Sequence, residues 1–301
     1  MYNGIINVYK EKGYTSFDVV ARMRGICGQK KIGHTGTLDP DAEGVLPVCL
    51  GKATKVCDML TDSDKVYRAV MQLGVETDTQ DLTGAVLKKT EVPELTVEEI
   101  TKTILEFEGE ILQVPPMYSA LKVNGKKLCD LARAGITVER KARPVTIYGI
   151  QIERIELPEI ELTVSCSKGT YIRTLCHDIG QKIGCGAAMK RLLRIKAAGF
   201  ALENAYRLDT IQAHKDAGTL SEIVTPVEEV FSEYPVLTAR PEFDIMLKNG
   251  NKMTPEQFLE QILPKDGQHM RVYMSDGRFA AVYEYQKAIS LYRPSKMFLE
   301  D

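Results

Sequence analysis

One short window, residues 33–47, limits more than any other stretch what this chain can fold into. It reads GHTGTLDPDAEGVLP and holds three glycines and two prolines. These residues disfavour a helix or a long strand, so the sequence predicts a shaped loop. Asp39 precedes Pro40, which pushes the Asp39 backbone towards an extended conformation and gives its carboxylate a defined direction. Taken alone, the window is more typical of a Gly-rich connection with an Asp-Pro turn.

The composition is that of a globular protein with one basic region. The chain has 301 residues, 44% of them hydrophobic and 27% charged, which predicts two domains with substantial cores. The net charge is -2, yet residues 118–200 carry 15 Lys and Arg against 7 Asp and Glu. A basic segment in an otherwise acidic chain predicts one positive face rather than general affinity for polyanions.

The cysteines and the apolar runs exclude several classes of protein. Seven cysteines, none spaced as CxxC, disfavour a zinc site and a disulfide framework. The first residues lack the pattern of a secretory signal, and no apolar run is long enough to span a bilayer. We therefore expect a soluble, cytoplasmic protein with reduced thiols and no membrane partner.

Local patterns predict several helices and strands in the first half. Residues 4–8 and 65–73 have the pattern of strands, and Tyr67 falls on the inner face of the second. Ser16 is expected to cap a helix over 17–27. Four of its residues lie at helical spacing and are expected to face the core, namely Phe17, Val20, Met23 and Cys27. Thr96 and Glu99 form a capping box for a helix that runs to about Glu108.

Two later stretches combine stiff or tight backbone with polar side chains. Residues 113–122, QVPPMYSALK, are typical of a proline-kinked connector or of a loop that grips a polyanion. Strands are expected over 144–157 and 160–167. At residues 165–175, SCSKGTYIRTL, a strand is expected to end and a helix to begin, with Thr170 as its N-cap. Tyr171 and Arg173 would then lie at a junction where ligands often bind.

After Phe200 the pattern changes. Short β-like segments and the Asp276-Gly277 turn predict a hairpin in a small, mainly β domain. We place the domains at 1–232 and 233–301, with an insertion at about 110–145.

Four motifs together resemble the bacterial TruB family, the tRNA pseudouridine synthases that act on uridine 55 of the T loop. The resemblance covers residues 4–200, and the C-terminal segment is more loosely similar to a PUA-type RNA-binding domain. The motifs are GHTGTLDP with GVLP, KVY at 65–67, QVPPMYSALKV at 113–123 and CSKGTYIRT at 166–174.

The resemblance implies an α+β fold, with a catalytic domain built on a central, largely antiparallel sheet, and no metal or organic cofactor. It implies that Asp39 is the catalytic carboxylate, that Tyr67 stacks on the target uracil, and that Arg173 pairs with the carboxylate. Five further residues are expected to contact the substrate or RNA, namely His34, Tyr171, Leu192, Lys10 and Lys122. The implied partner is the T arm of tRNA, with no protein partner, and the implied state is a monomer.

Two positions depart from the family pattern. Glu11 stands where the family often has proline after lysine, and Cys129 replaces an aromatic residue in the insertion. Both departures concern contacts with tRNA and leave the chemistry intact.

The expected chemistry needs one carboxylate, which acts either as a nucleophile at the sugar or as a base at its C2′ proton. One carboxylate can suffice because uracil leaves as a stabilised anion, whereas glycoside hydrolases ordinarily need two. An adjacent arginine should keep Asp39 ionised. A C1′ adduct, a glycal and a base adduct all remain open as the intermediate.

Three other functions compete with this interpretation. A non-catalytic tRNA-binding or tRNA-folding protein would need the basic segment but neither Asp39 nor Arg173. A guide-RNA-dependent relative would not act on bare tRNA, and a hydrolase would release free uracil.

Overall fold

The structure is a computed structural model that describes residues 1–123 and 125–299. The strands of the first 200 residues are β1 (Gly4–Lys10), β2 (Ile32–His34), β3 (Glu43–Leu50), β4 (Lys65–Leu73), β5 (Val75–Thr77), β6 (Val86–Lys89), β7 (Gly109–Gln113), β8 (Lys122–Val123), β9 (Lys126–Lys127), β10 (Arg143–Glu156), β11 (Glu159–Cys166) and β12 (Ala187–Ala197). The later strands are β13 (Phe200–Ala201), β14 (Val236–Thr238), β15 (His269–Tyr273), β16 (Phe279–Gln286) and β17 (Leu291–Met297). The α-helices are α1 (Ser16–Cys27), α2 (Cys57–Thr61), α3 (Val97–Leu105), α4 (Leu128–Arg133), α5 (Ile172–Ile183), α6 (Leu208–Asp216) and α7 (Asp244–Lys248).

A nine-stranded sheet forms the centre of the described chain. Its main path runs β1-β3-β12-β4-β11-β10-β7, with β2 added to β3 and β13 added to β12. The pairing of β12 with β3 is parallel, and the other pairings in this sheet are antiparallel. Helices α3 and α5 pack on each other and on the sheet, while α1 and α6 pack together against β2 and β1. The prediction of an α+β fold on a largely antiparallel central sheet is confirmed.

The window at 33–47 is a loop only in its first part. Strand β3 begins at Glu43 and includes Gly44 and Pro47, so the expectation of a loop up to residue 47 was wrong. Proline has no amide hydrogen to donate to a neighbouring strand. The strand tolerates Pro47 because its backbone faces residues just beyond the end of β2, where its carbonyl accepts a hydrogen bond from the Thr35 amide at 3.1 Å. We call residues 35–42 the Asp39 loop.

The first helix begins one residue earlier than its pattern predicted. Thr15, not Ser16, is the N-cap, and it forms a capping box with Asp18. Ser16 instead accepts a hydrogen bond from the Leu38 amide through its hydroxyl at 2.9 Å, which ties α1 to the Asp39 loop. Phe17 was expected in the core but is 66% exposed, since the inner face of α1 passes through Val19 and its neighbours.

The other helix ends follow their local signals to different degrees. The capping box of Thr96 and Glu99 is present at α3, as predicted, although α3 ends at Leu105. The N-cap of α5 is Tyr171 rather than Thr170, and no side chain caps it. The Thr170 hydroxyl donates to the Ser167 carbonyl, so it stabilises the turn before the helix.

A second sheet of four strands, β14-β15-β16-β17, lies near the C-terminus and includes the predicted hairpin. Its buried residues, which include Tyr283 and Tyr292, belong to a separate hydrophobic core. A further cluster joins this sheet to the first part of the chain. Its residues include Ile5, Val56, Phe231, Val282 and Phe298, all buried.

Candidate active site

The Asp39 carboxylate and the Arg173 guanidinium form a two-point ion pair. Arg173 Nε lies 3.0 Å from Asp39 Oδ2, and Arg173 Nη2 donates to Asp39 Oδ1 at 3.4 Å. The Asp39 side chain is 41% exposed, whereas that of Arg173 is 5% exposed. A substrate can therefore reach the carboxylate, while the arginine is held behind it.

Three segments hold Arg173 in this position. It lies in the first turn of α5, and its Nη1 donates to the Thr79 carbonyl at 2.9 Å and lies 3.5 Å from Asp81 Oδ2. Its Nη2 donates to the Tyr118 carbonyl at 2.8 Å. The loop at 78–85 and the loop at 114–121, which carries Tyr118, therefore orient the guanidinium, which presents its Nε edge to Asp39.

Sequence reasoning did not identify Asp81. Its carboxylate also accepts hydrogen bonds from the Thr79 hydroxyl at 2.8 Å and from the Thr83 amide at 3.0 Å. The run at 77–84 is short and polar, a pattern that is typical of any surface loop. The contact with Arg173 joins residues far apart in the chain, and no local pattern signals it.

Burial has a larger effect on the pKa of Asp39 than the charge of Arg173 has. Loss of solvent raises the pKa of Asp39 above its usual value, and Arg173 opposes this shift. Asp81, close by, raises the pKa of Asp39 further. Arg173 favours the ionised form of Asp39, as expected, but desolvation of the carboxylate acts in the opposite direction and is the larger effect on its pKa.

Tyr67 lies in β4 beneath the Asp39 loop and shares a core cluster with Leu38. Its side chain is buried, as the alternation of β4 predicted. Burial raises the pKa of Tyr67, and the charge of Arg194 partly offsets this effect. Arg194 lies opposite Tyr67 in the register of β12 with β4.

Lys10 is placed differently from what the sequence suggested. It is fully buried, and its ammonium donates to the carbonyls of Glu11, Pro40 and Ala42 at 3.1, 3.1 and 2.6 Å. Two of these carbonyls belong to the Asp39 loop. A buried ammonium with three carbonyl acceptors does not face RNA, so the expected RNA contact of Lys10 does not fit the structure, and its side chain instead holds the loop.

The other expected pocket residues lie around the same centre. His34 ends β2, and burial together with the charge of Arg194 lowers its pKa. Leu192 is partly buried on β12 opposite Ala69. Tyr171 precedes Arg173, and its backbone exchanges two hydrogen bonds with the Gln113 side chain at 3.0 and 3.2 Å.

Lys122 lies away from this centre. It belongs to the small hairpin of β8 and β9, in which Lys122 is paired with Lys127. Lys122, Lys126 and Lys127 are all exposed. The structure thus shows a solvent-facing cationic hairpin, and no contact between it and Asp39 is seen among the described residues.

Within residues 1–123 and 125–299, no group of three or more His, Cys, Asp or Glu side chains is arranged to hold a metal ion. In the same part of the chain, no helix is both long enough and apolar enough to cross a membrane.

The buried ammonium of Lys10 predicts a pH dependence of stability. Burial lowers the pKa of Lys10 to about 8, below the ordinary value of 10.5. Between these two values the unfolded chain binds more protons than the folded one, so this group makes the fold more stable as pH rises. The quantity to compare is the free energy of unfolding of wild type minus that of Lys10→Met. We expect this difference to rise by about 2 kcal/mol between about pH 7.5 and 10.

Urea unfolding of both proteins across this range measures the difference. The exposed Lys12→Met variant is the matched control. A difference between wild type and Lys10→Met that stays constant with pH would show that Lys10 titrates as in the unfolded chain.

Family models match two consecutive parts of this chain. A family model described as TruB family pseudouridylate synthase, N-terminal domain, matches residues 24–172. A second, described as the tRNA pseudouridylate synthase B C-terminal domain, matches residues 173–232.

Curated relatives match over nearly the whole chain. A tRNA pseudouridine synthase B from Lachnoclostridium phytofermentans is 50% identical over 313 aligned positions, which cover 99% of this chain and 100% of the relative. One from Clostridium tetani is 46% identical and covers 91% of this chain and 93% of the relative. Among solved structures, a chain of an H/ACA ribonucleoprotein bound to a substrate RNA containing 2′-deoxyuridine matches with a TM-score of 0.74 and 25% identity. That match covers 99% of this chain and 85% of the other.

Proposed function

Since the chain belongs to the TruB family of pseudouridylate synthases, we propose that it isomerises uridine 55 in the T loop of tRNA to pseudouridine. The observation that carries the proposal is the Asp39 carboxylate, partly open to solvent and held at two points by buried Arg173. The reaction breaks the bond from ribose C1′ to uracil N1 and forms one from C1′ to C5. The C5 proton is released and N1 takes up a proton, so the product is an isomer of uridine and no oxidant or reductant is consumed.

Asp39 acts on the ribose in this proposal, as a nucleophile at C1′ or as a base at the C2′ proton. Arg173 orients the carboxylate, and Asp81 orients Arg173 from its other side. A guanidinium is suited to this task because its planar fork keeps both contacts in fixed geometry. Lys10 contributes by fixing the carbonyls of Pro40 and Ala42, which flank the turn after Asp39.

The target base must leave its stack before it can react. Extrusion costs about a few kcal/mol. Stacking on an aromatic side chain returns about 1–3 kcal/mol per base. We assign this stacking to Tyr67, and we assign Tyr171 and Leu192 to the walls of the pocket and His34 to holding the flipped-out nucleotides.

The remaining basic residues supply contacts with the RNA backbone. The exposed hairpin with Lys122 fits the T arm by charge, because phosphate contacts set affinity and its salt dependence. We assign residues 1–232 to the catalytic domain and 233–301 to a PUA-like RNA-binding domain. We also propose a cytoplasmic monomer that needs no metal, organic cofactor or protein partner.

The direct test is tritium release from unmodified tRNA that carries uracil labelled at C5. Wild-type protein alone is expected to release tritium and to leave the base attached to the RNA. Tritium release from bare tRNA would exclude a need for guide RNA, and an RNA product of unchanged mass would exclude a hydrolase. No release would contradict the proposed function and favour a protein that binds or folds tRNA without modifying it.

Substitution of Tyr67 tests the stacking assignment. Tyr67→Leu removes the aromatic face and is expected to lower the single-turnover rate about 10- to 100-fold. Tyr67→Phe keeps the ring and loses only the hydroxyl, so its rate is expected to lie much nearer wild type. Equal rates for the two variants would contradict the assignment of stacking to Tyr67.

A further inference from the structure

Arg194 is a buried cation beneath the active site for which the proposed reaction has so far given no role. It lies in β12 and is 1% exposed, among the largest fully buried side chains of the described residues. Its sequence neighbours Lys190 and Arg191 are exposed, so the sequence alone suggests one basic surface. The structure separates Arg194 from that surface.

The guanidinium of Arg194 contacts the chain on both sides of Asp39. Its Nε donates to the Val45 carbonyl at 2.7 Å, and its Nη2 donates to the Gly36 carbonyl at 3.2 Å. Gly36 lies near the start of the Asp39 loop, and Val45 follows the loop in β3. Both acceptors are backbone carbonyls, so the contacts fix main-chain positions rather than neutralise a carboxylate.

Gly44 allows the backbone of β3 to lie against the backbone of Arg194, and Gly36 lies at ordinary contact distance from the guanidinium. A Cβ atom on Gly44 would lie 2.2 Å from the Arg194 carbonyl oxygen, and Gly44 has a φ of 107°. A Cβ atom on Gly36 would lie 3.7 Å from Arg194 Nη1. The backbone before and after the Asp39 loop therefore lies directly against Arg194. A larger residue in place of Gly44 would force either β3 or the Arg194 backbone to move.

Arg194 also lies beside Tyr67 in the central sheet. Arg194 and Tyr67 are register partners on adjacent strands, which places their side chains on the same face of the sheet. The charge of Arg194 lowers the pKa of Tyr67, against the effect of burial. One side chain thus contacts both ends of the segment that carries Asp39 and lies beside the tyrosine proposed to stack on the base.

We propose that Arg194 is a positioning residue, which sets the position of the Asp39 carboxylate relative to the ring of Tyr67 through its contacts with Gly36 and Val45. This inference rests on the proposed function for its effect on rate. Lysine cannot replace arginine here, because a single ammonium lacks the forked geometry needed to reach separated acceptors.

The first experiment compares Arg194→Lys with wild type in single-turnover tritium release at saturating tRNA. We expect the rate to fall about 100-fold, because a small displacement of reacting groups can cause a loss of that size. The Kd for tRNA should stay within about threefold. Arg68→Lys, an exposed arginine beside Tyr67 on β4, is the matched control and should retain the wild-type rate. A rate for Arg194→Lys within about threefold of wild type would overturn the inference.

The second experiment does not depend on activity. Amide hydrogen exchange in the Asp39 loop reports on the Leu38 amide, bonded to Ser16, and the Ala42 amide, bonded to the Asp39 carbonyl. In Arg194→Lys we expect these amides to exchange at least about tenfold faster, with β4 and β11 unchanged. Faster exchange throughout the sheet would instead indicate a general structural role, and unchanged exchange in the loop would overturn the inference. If wild type itself released no tritium, the proposed function would fail, and the exchange result would still decide whether Arg194 holds the loop.

Discussion

Asp39→Asn is expected to lower the rate of pseudouridine formation by at least about 1,000-fold. Asparagine keeps the size of the side chain and can still accept a hydrogen bond from Arg173. It has neither the negative charge needed for attack at C1′ nor the basicity needed to take the C2′ proton. Single-turnover tritium release at saturating tRNA measures the loss. The Kd for tRNA should stay within a few-fold, because phosphate contacts elsewhere set affinity.

Asp41→Asn is the matched control for this experiment. Asp41 lies in the same loop, and its carboxylate pairs with exposed Lys12 at 3.6 Å. The control should therefore release tritium at close to the wild-type rate. An Asp39→Asn protein that works nearly as well as Asp41→Asn would refute the assignment of Asp39 as the catalytic carboxylate.

Arg173→Lys is expected to lower the rate about 100- to 1,000-fold, although the charge is retained. The guanidinium donates to the carbonyls of Thr79 and Tyr118 and also contacts both oxygens of Asp39. An ammonium cannot hold all these directions at once, so the carboxylate would lose its orientation. The rate constant at saturating tRNA should carry the loss, whereas the Kd should change little.

The exposed Arg22→Lys on α1 controls for the general effect of exchanging arginine for lysine. Thermal unfolding separates a lost orientation from a lost fold, because Arg173 is almost fully buried. If Arg173→Lys retained the wild-type rate, the two-point contact would be unnecessary for the reaction.

The sequence was most informative where the signal is local. The capping box of Thr96 and Glu99 and the alternation around Tyr67 each involve residues a few positions apart, and both predictions are confirmed. The pairing of Asp39 with Arg173 followed from resemblance, since these residues are 134 positions apart. Their contact in the structure agrees with what the resemblance implied.

The sequence was least informative about buried charge. Lys10 and Arg194 have the residue types of RNA-binding positions, yet both side chains point inwards to backbone carbonyls. Whether a cation faces solvent or a carbonyl depends on strands that meet from distant parts of the chain. The wrong N-cap at Ser16 has a similar cause, because tertiary contact with Leu38 takes its hydroxyl away from the helix end.

The cluster that joins the C-terminal sheet to the first part of the chain has a further consequence. Phe298 and Val282 of the C-terminal part are buried with Ile5 and Val56, so the two parts are connected by apolar packing as well as by the chain. This packing would hold the catalytic site and a second RNA site on the C-terminal part at a fixed separation. In the proposal that residues 233–301 bind RNA, an RNA that reaches both sites would gain the high effective concentration of a second, intramolecular contact, and a shorter or differently bent RNA would lose it.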